Sequence, residues 1–312
     1  MTWIAPGRVN LIGEHTDYAG GLALPLAIDR SVVVAGKPAA DRIRVHSERF
    51  DETVTVALDG DGPEEGWGRR LAGVVAELAA LGREPVGFEG TIGGDLPAGA
   101  GLGSSGAFGV AVAKALSSVA GLELPPLELV ETCRRAEERS TGVPCGVLDQ
   151  ATAVLGRPGQ ALFLDCSSLE HRLVALPDDL AVLVADSGIH RRVEETAYAD
   201  RRRELEAGHP RRVRHVESEN ERVRGTVVAL ERDDRASLAE IFAAGQASLR
   251  DDYEVSTPEL DRLVEEALDA GAFAARLTGA GFGGCVVALA DAERAPAVAA
   301  ALSTRYAVFR AV

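Results

Sequence analysis

The chain has 312 residues, which on a prior of roughly 150 residues per domain gives about two domains with a core large enough to need no disulfide or metal staple. Apolar residues make up 46% and charged residues 26%, an ordinary globular balance that excludes a disordered chain. Against 33 Lys and Arg stand 48 Asp and Glu, a formal net charge of −15, and so acidic a surface argues against a broad nucleic-acid or anionic-membrane footprint.

In chain order, residues 1–58 read as strands and turns, with the run Ser31-Val32-Val33-Val34-Ala35 and the alternation Thr53-Val54-Thr55-Val56 set between glycine-rich turns. Helical spacing over 67–82 stops at Gly82, and a short strand follows over Val86–Ile92. The segment from Gly93 to Gly106 is too glycine-dense for regular structure, and Ala107–Ala120, small and apolar all round, reads as a buried helix. Helices are expected at 126–140 and from Asp149-Gln150 onward, then two strands within 161–186. The stretch 190–224 holds ten arginines and eight acidic residues, a mixed-sign pattern that reads as a solvated helical face. Helices over 236–250 and 258–270 and strands over 286–290 and 305–311 complete the chain. The boundary is placed near residue 165, giving domains of 1–165 and 166–312.

No apolar run approaches the ~20 residues of a spanning helix. Met1–Pro6 has no basic segment leading into an apolar one, so a cytoplasmic protein is expected. Cys133, Cys145, Cys166 and Cys285 are scattered without a CxxC pair and read as reduced thiols rather than a metal site.

Four segments carry chemistry. In Pro97–Gly106, a glycine-rich turn leads into a helix, so backbone N–H groups and the helix N-terminus can hold an anion, with Ser104 and Ser105 placed to meet phosphate oxygens or a phosphate-bound Mg²⁺. The loop lacks the Gly-Lys-Ser/Thr ending of a P-loop and the downstream acid of a dinucleotide fold. The run Gly7–Gly21 packs Arg8, Asn10, Glu14, His15 and Asp17 between glycines, the donor and acceptor array that a polyhydroxylated substrate requires. Glu137 and Asp149 offer two carboxylates that can divide labour, one holding Mg²⁺ and the other accepting a proton, although a lone helical Glu137 beside Glu138 also reads as surface. Leu277–Cys285 is a second glycine-dense turn that either closes over a ligand or only turns the chain.

With these segments in view, the chain resembles the galactokinase family of the GHMP kinase superfamily. Gly7–Gly21 resembles the galactokinase signature, with Ala19 where an asparagine is usual. Pro97–Ser105 resembles the superfamily's phosphate loop and Leu277–Cys285 its third motif. Cys145–Gln150, Arg214–Asn220 and Leu249–Ser256 are further galactokinase-like phrases. The resemblance implies an α+β, two-domain GHMP kinase fold with the active site in the interdomain cleft, ATP and Mg²⁺ as cofactors, and ATP-dependent phosphorylation of galactose at its anomeric hydroxyl. It implies that Asp149 is the catalytic base and that Arg8 stabilises charge on the transferring phosphoryl group. Glu14, His15, Thr16, Asp17, Gly146 and Tyr198 would contact sugar. Gly99, Ala100, Gly101, Leu102, Gly103, Ser104 and Ser105 would wrap the triphosphate, Ser47 would touch the nucleotide, and Ser105 with Glu137 would ligate Mg²⁺. The partners implied are a small sugar and ATP, with neither nucleic acid nor membrane. The alternatives are a kinase of another galactose-like sugar or uronic acid, and a non-catalytic sugar sensor.

Overall fold

The computed structural model describes residues 1–97, 99–189 and 197–312. Ala98 of the glycine loop and Glu195-Thr196, which precede Tyr198, lie outside these residues. The chain divides into two compact units that alternate along the sequence. One comprises Met1–Gly7, Arg30–Pro97 and Gly103–Leu155; the other comprises Arg8–Asp29, Ala98–Leu102 and Gly156–Val312.

Strands β1 (Thr2–Asn10) and β3 (Pro25–Ala39) pass through both units. In the first unit β3 pairs antiparallel with β6 (Gly87–Gly94), from Val32 opposite Gly94 to Ala39 opposite Gly87. β6 lies parallel to β4 (Ile43–Ser47), which pairs antiparallel with β5 (Glu52–Val56). Helices α1 (Gly66–Ala80), α2 (Ser104–Val119), α3 (Pro126–Thr141) and α4 (Leu148–Leu155) pack on one another, and α1 also covers β5. α1 buries Leu71, Val74, Val75 and Leu78, one face at helical spacing. Pro126 opens α3 at a position that needs no N–H, and Gly142 closes it in the left-handed region, donating to Glu138 O at 2.8 Å.

In the second unit β7 (Gln160–Asp165) pairs antiparallel with β2 (Leu22–Ala23), with β8 (His171–Ala175) and with the start of β3. Its other sheet is antiparallel in the order β10 (Ala274–Thr278), β11 (Cys285–Asp291), β9 (Leu180–Asp186) and β12 (Ala307–Arg310). Leu183, Val286 and Leu277 of this sheet share a core with Leu249, Leu260 and Leu263. Those three sit on α7 (Arg235–Asp251) and α8 (Pro258–Asp269), helices begun by the N-cap side chains of Asp234 and Thr257. Helices α5 (Tyr198–Glu206), α6 (Pro210–Glu231) and α9 (Ala295–Leu302) complete this unit. No described helix is long and apolar enough to cross a membrane.

Three features depart from the sequence expectations. The segment 161–186 forms three strands, because Asp165 Oδ1 accepts from the N–H groups of Ser167 and Ser168 and Leu169 turns left-handed (φ 61°), reversing the chain inside it. Strand β10 and helix α9 were not legible: a charged Arg276 interrupts the five residues of β10, and alanine-rich α9 has no polar stripe to set a period. Within the described part of 190–224, Arg212, His215 and Glu219 are buried, so that stretch is more than a solvated face.

Candidate functional site

In the second unit, Arg8 is tied to the glycine loop: its N–H donates to Leu102 O at 2.9 Å and its Nη1 donates to Gly101 O. Gly99 and Gly101 of this loop have φ of 81° and 74°. The third glycine motif lies against the same backbone. A Cβ on Gly279 would sit 3.3 Å from Gly101 O, and Cys285 Sγ donates to Ala100 O at 3.2 Å.

The signature run is a buried polar array. Thr278 locks its start, since Asn10 N donates to Thr278 Oγ1 at 3.1 Å and that hydroxyl donates to Asn10 O at 2.9 Å. The Thr16 hydroxyl reaches Gly13 O at 2.8 Å and Leu22 O at 2.7 Å, closing the loop on itself. Asp17 opens a short 3₁₀ turn, Asp17–Ala19. Glu14, 2% exposed, accepts from Arg276 Nη2 at 2.8 Å and from Gly279 N at 3.4 Å. The same Arg276 Nη2 donates to Glu219 Oε1 at 2.6 Å. Glu219 also accepts from Gly13 N at 2.9 Å and from Arg222 Nε at 2.6 Å. Two buried carboxylates thus share one guanidinium, and Glu219 has a second.

Burial pushes the Glu14 carboxyl up to about 7; Arg276 opposes this and the charge of Glu219 adds to it. Burial also pushes Glu219 upward, but Arg276, His215 and Arg222 overcome it and hold that carboxyl well below the usual range. The signs of the two contributions to stability differ. Glu219 stabilises above the unfolded carboxyl value of 4.5, and that contribution is lost as pH falls through its depressed value. Glu14 stabilises below 4.5, and its contribution is lost as pH rises toward 7. Glu14→Gln should therefore abolish a fall in unfolding free energy between pH 5 and 7.5 that corresponds to about one proton. Urea titrations of both proteins at the two pH values check this, and an unchanged pH slope rejects the assignment.

His15 is left-handed (φ 62°), stacks on Tyr253 at 4.6 Å between centroids, and lies 5.7 Å from the ring of Tyr198. Burial pushes its imidazole down to about 3, with His215 adding to the effect, so it is neutral at ordinary pH. His215 supports the array from beneath: its Nε2 donates to Glu14 O at 3.1 Å, and its Nδ1 meets Ser248 Oγ at 2.9 Å.

The first unit carries the other set. Gly103 (φ 70°) precedes α2, and no side chain caps that helix, leaving the N–H groups at Ser104 and Ser105 directed out of its first turn. Ser105 Oγ donates to Glu137 Oε1 and accepts from Arg70 Nη1, while Gln150 Nε2 donates to Glu137 Oε2 at 2.5 Å. Burial raises the Glu137 carboxyl, the bond from Ser105 opposes this, and the charge of Asp149 raises it further. Asp149 stands in the first turn of α4. Gly106 makes its placement possible, because a Cβ there would lie 2.5 Å from the Cβ of Asp149. Gly106→Ala should shift Asp149 and lower kcat by about 10²-fold while leaving the fold intact; steady-state kinetics and circular dichroism decide it, and wild-type turnover sinks the argument.

Ser47 ends β4, its hydroxyl accepting from Phe50 N at 3.4 Å in the turn toward β5. Gly146 lies between α3 and α4, beside Cys145, whose N–H donates to Glu138 Oε1 at 3.1 Å. Among the described residues no cluster of three His, Cys, Asp or Glu side chains could hold a metal ion. The adjacent oxygens of Ser105 and Glu137 suit instead a Mg²⁺ that keeps water and phosphate as its other ligands. Sequence reasoning missed Arg276, Glu219 and His215. The signal available was a lone arginine in the apolar run Ala274-Ala275-Arg276-Leu277, and the phrase Arg214–Asn220 taken as a unit.

The profile of the GHMP kinases N terminal domain matches residues 69–157, that of the GHMP kinases C terminal region 226–308, and the galactokinase galactose-binding signature 1–38. A galactokinase of Thermococcus kodakarensis is 38% identical, the match covering 93% of this chain and 89% of that protein. A galactokinase of Roseiflexus sp. is 40% identical over 92% of this chain and 82% of its own length. The crystal structure of Lactococcus lactis galactokinase complexed with galactose superposes with a TM-score of 0.90 at 29% identity, covering 99% of this chain and 92% of that one. The chain has the α+β, two-domain GHMP kinase fold and belongs to the galactokinase family.

Proposed function

We propose that this chain transfers the γ-phosphoryl group of ATP to the anomeric hydroxyl of galactose, giving galactose 1-phosphate and ADP. The observation that carries the reading is the burial of the signature run: Glu14 and His15 are held as an ordered polar array by Arg276, His215 and Tyr253, which a solvated surface hairpin would not require. Membership of the galactokinase family supports the same substrate pair.

In the reaction a bond forms between the sugar's anomeric oxygen and the γ-phosphorus, and the bond from that phosphorus to the β,γ-bridging oxygen breaks. Asp149 accepts the proton of the attacking hydroxyl. Arg8 stabilises the negative charge that builds on the transferring group. Glu14, His15, Thr16, Asp17, Gly146 and Tyr198 hold the sugar. The backbone of Gly99–Ser105 receives the phosphates, aided by the N-terminus of α2, and Ser47 contacts the nucleotide. Ser105 and Glu137 would hold Mg²⁺, whose contribution is to neutralise charge on the β- and γ-phosphates.

The test is ADP release from Mg²⁺-ATP with galactose, its 2-deoxy and 2-amino analogues, glucose, arabinose and galacturonate. Turnover with galactose well above glucose is expected. Turnover confined to another sugar would keep the kinase and replace its substrate; binding of ATP and galactose by calorimetry with no ADP formed would replace the enzyme with a sensor.

A further inference from the structure

Tyr253, in the phrase Leu249–Ser256, is fully buried, and the reaction gives it no task. Its ring lies 4.6 Å from each of two imidazoles, His15 and His215. Its backbone is fixed, with the N–H donating to Ser248 O and the carbonyl accepting from Arg201 Nε, both at 2.9 Å. Its hydroxyl lies 2.7 Å from the hydroxyl of Tyr18, which in turn lies 3.0 Å from His15 Nδ1. Three polar groups therefore stand in series: Tyr253 OH, Tyr18 OH and His15 Nδ1.

The number of hydrogens sets the direction of this series. Each phenol carries one. Among the described residues the Tyr253 hydroxyl has one hydrogen-bond partner, the oxygen of Tyr18, so the Tyr253 hydrogen is satisfied only by donation to Tyr18. Tyr18 then donates its own hydrogen to Nδ1. A nitrogen that accepts carries no hydrogen, and the neutral ring must carry it on Nε2. The reverse order strands the Tyr253 hydrogen in a dry site, a loss that disfavours it by a factor on the order of ten or more. His15 Nε2 is itself buried and meets no partner at full hydrogen-bonding geometry among the described residues, while the backbone of Ala280 interacts with the ring. A buried donor left without a well-formed bond is accounted for when a ligand oxygen receives it.

We propose that Tyr253 and Tyr18 are positioning residues, a two-hydroxyl relay that holds His15 as its Nε2–H tautomer and so makes it a hydrogen-bond donor to a sugar hydroxyl oxygen. The Tyr253 hydroxyl fixes the oxygen of Tyr18 by donating to it, which a phenylalanine filling the same space would not do. The relay also divides roles within the signature: His15 gives a hydrogen to the sugar, and the carboxylates take hydrogens from it. This inference rests on the reading of residues 14–17 as sugar-binding.

The full-length protein with ¹⁵N-labelled histidine tests the relay without any sugar. Long-range ¹H–¹⁵N correlation separates protonated from bare ring nitrogens, and a His15→Asn variant assigns the signals. A bare Nδ1 and a protonated Nε2 are expected in the wild-type protein. Tyr18→Phe should move both nitrogens toward averaged positions. Tyr18→Phe should also raise the KM for galactose about three- to tenfold, with kcat and the KM for ATP within about twofold of wild type, whereas Tyr253→Phe leaves Tyr18 its donation to Nδ1 and should keep that nitrogen bare. A hydrogen on Nδ1 in the wild type, a Tyr18→Phe spectrum identical to wild type, or an unchanged galactose KM in Tyr18→Phe would each overturn the proposal. If the wild-type protein phosphorylates no galactose, the proposed function fails, while the tautomer measurement still decides whether the relay exists.

Discussion

Asp149→Asn is expected to lower kcat by about 10²- to 10⁴-fold while calorimetry still finds ATP and galactose bound within a few-fold of wild-type affinity. The substitution keeps the volume of the side chain and removes its capacity to take a proton. Volume matters here because α2 crosses the start of α4 at Gly106, and a Cβ at that residue would lie 3.1 Å from the carbonyl carbon of Asp149 as well as 2.5 Å from its Cβ. An isosteric change therefore tests chemistry rather than packing. The effect belongs in kcat because a base acts only once the hydroxyl has begun to lose its proton. Glu137 provides the contrast: it stands in a hydrogen-bonded group with Ser105, Gln150 and Arg70, and Glu137→Gln should show chiefly as a raised Mg²⁺ requirement. Turnover of Asp149→Asn within tenfold of wild type would mean that the proton leaves by another route, and Asp149 would then only orient the sugar.

How much of this could be read beforehand depends on the distance along the chain over which each feature is encoded. Helices α3, α7 and α8 were legible because their starts are local: Pro126, Asp234 and Thr257-Pro258 mark them within a residue or two. The glycine loop and the signature run were legible for the same reason, since their spacing lies within fifteen residues or so. The support beneath the signature was not. Glu219 holds the N–H of Gly13, 206 positions earlier, and Arg276 holds Glu14 across 262 positions, and no periodicity connects residues so far apart. In the sequence Glu219 stands among arginines and acids that resemble a solvent-facing helix, and α6 does present much of that surface to water. Only the packing of α6 against β2 and α7 shows which of its charges turn inward. Arg276 was concealed in the opposite way, as a polar interruption that lowers the strand signal of β10.

The second large effect is expected at Arg276 itself. Its side chain is wholly buried, its Nη2 bridges Glu14 and Glu219, and its guanidinium lies 6.0 Å from the ring centroid of Phe242. Gly245 on α7 leaves it room, since a Cβ there would collide with the guanidinium. Arg276→Met fills similar space without charge. Glu219 would keep Arg222, but Glu14 would lose its ion-pair partner, leaving a carboxyl to be protonated or exposed. Removing one partner of a buried ion pair costs about 3–5 kcal/mol, a large share of the 5–15 kcal/mol that holds a typical domain together. Urea unfolding followed by far-UV circular dichroism at pH 7.5 measures the loss. Glu14→Gln placed on the Arg276→Met background should restore part of it, because the stranded carboxyl is then gone, and should gain more there than the same change gains in the wild type. A loss under about 1 kcal/mol, or a Glu14→Gln effect equal in both backgrounds, would show that the guanidinium fills space beside the signature run without holding it.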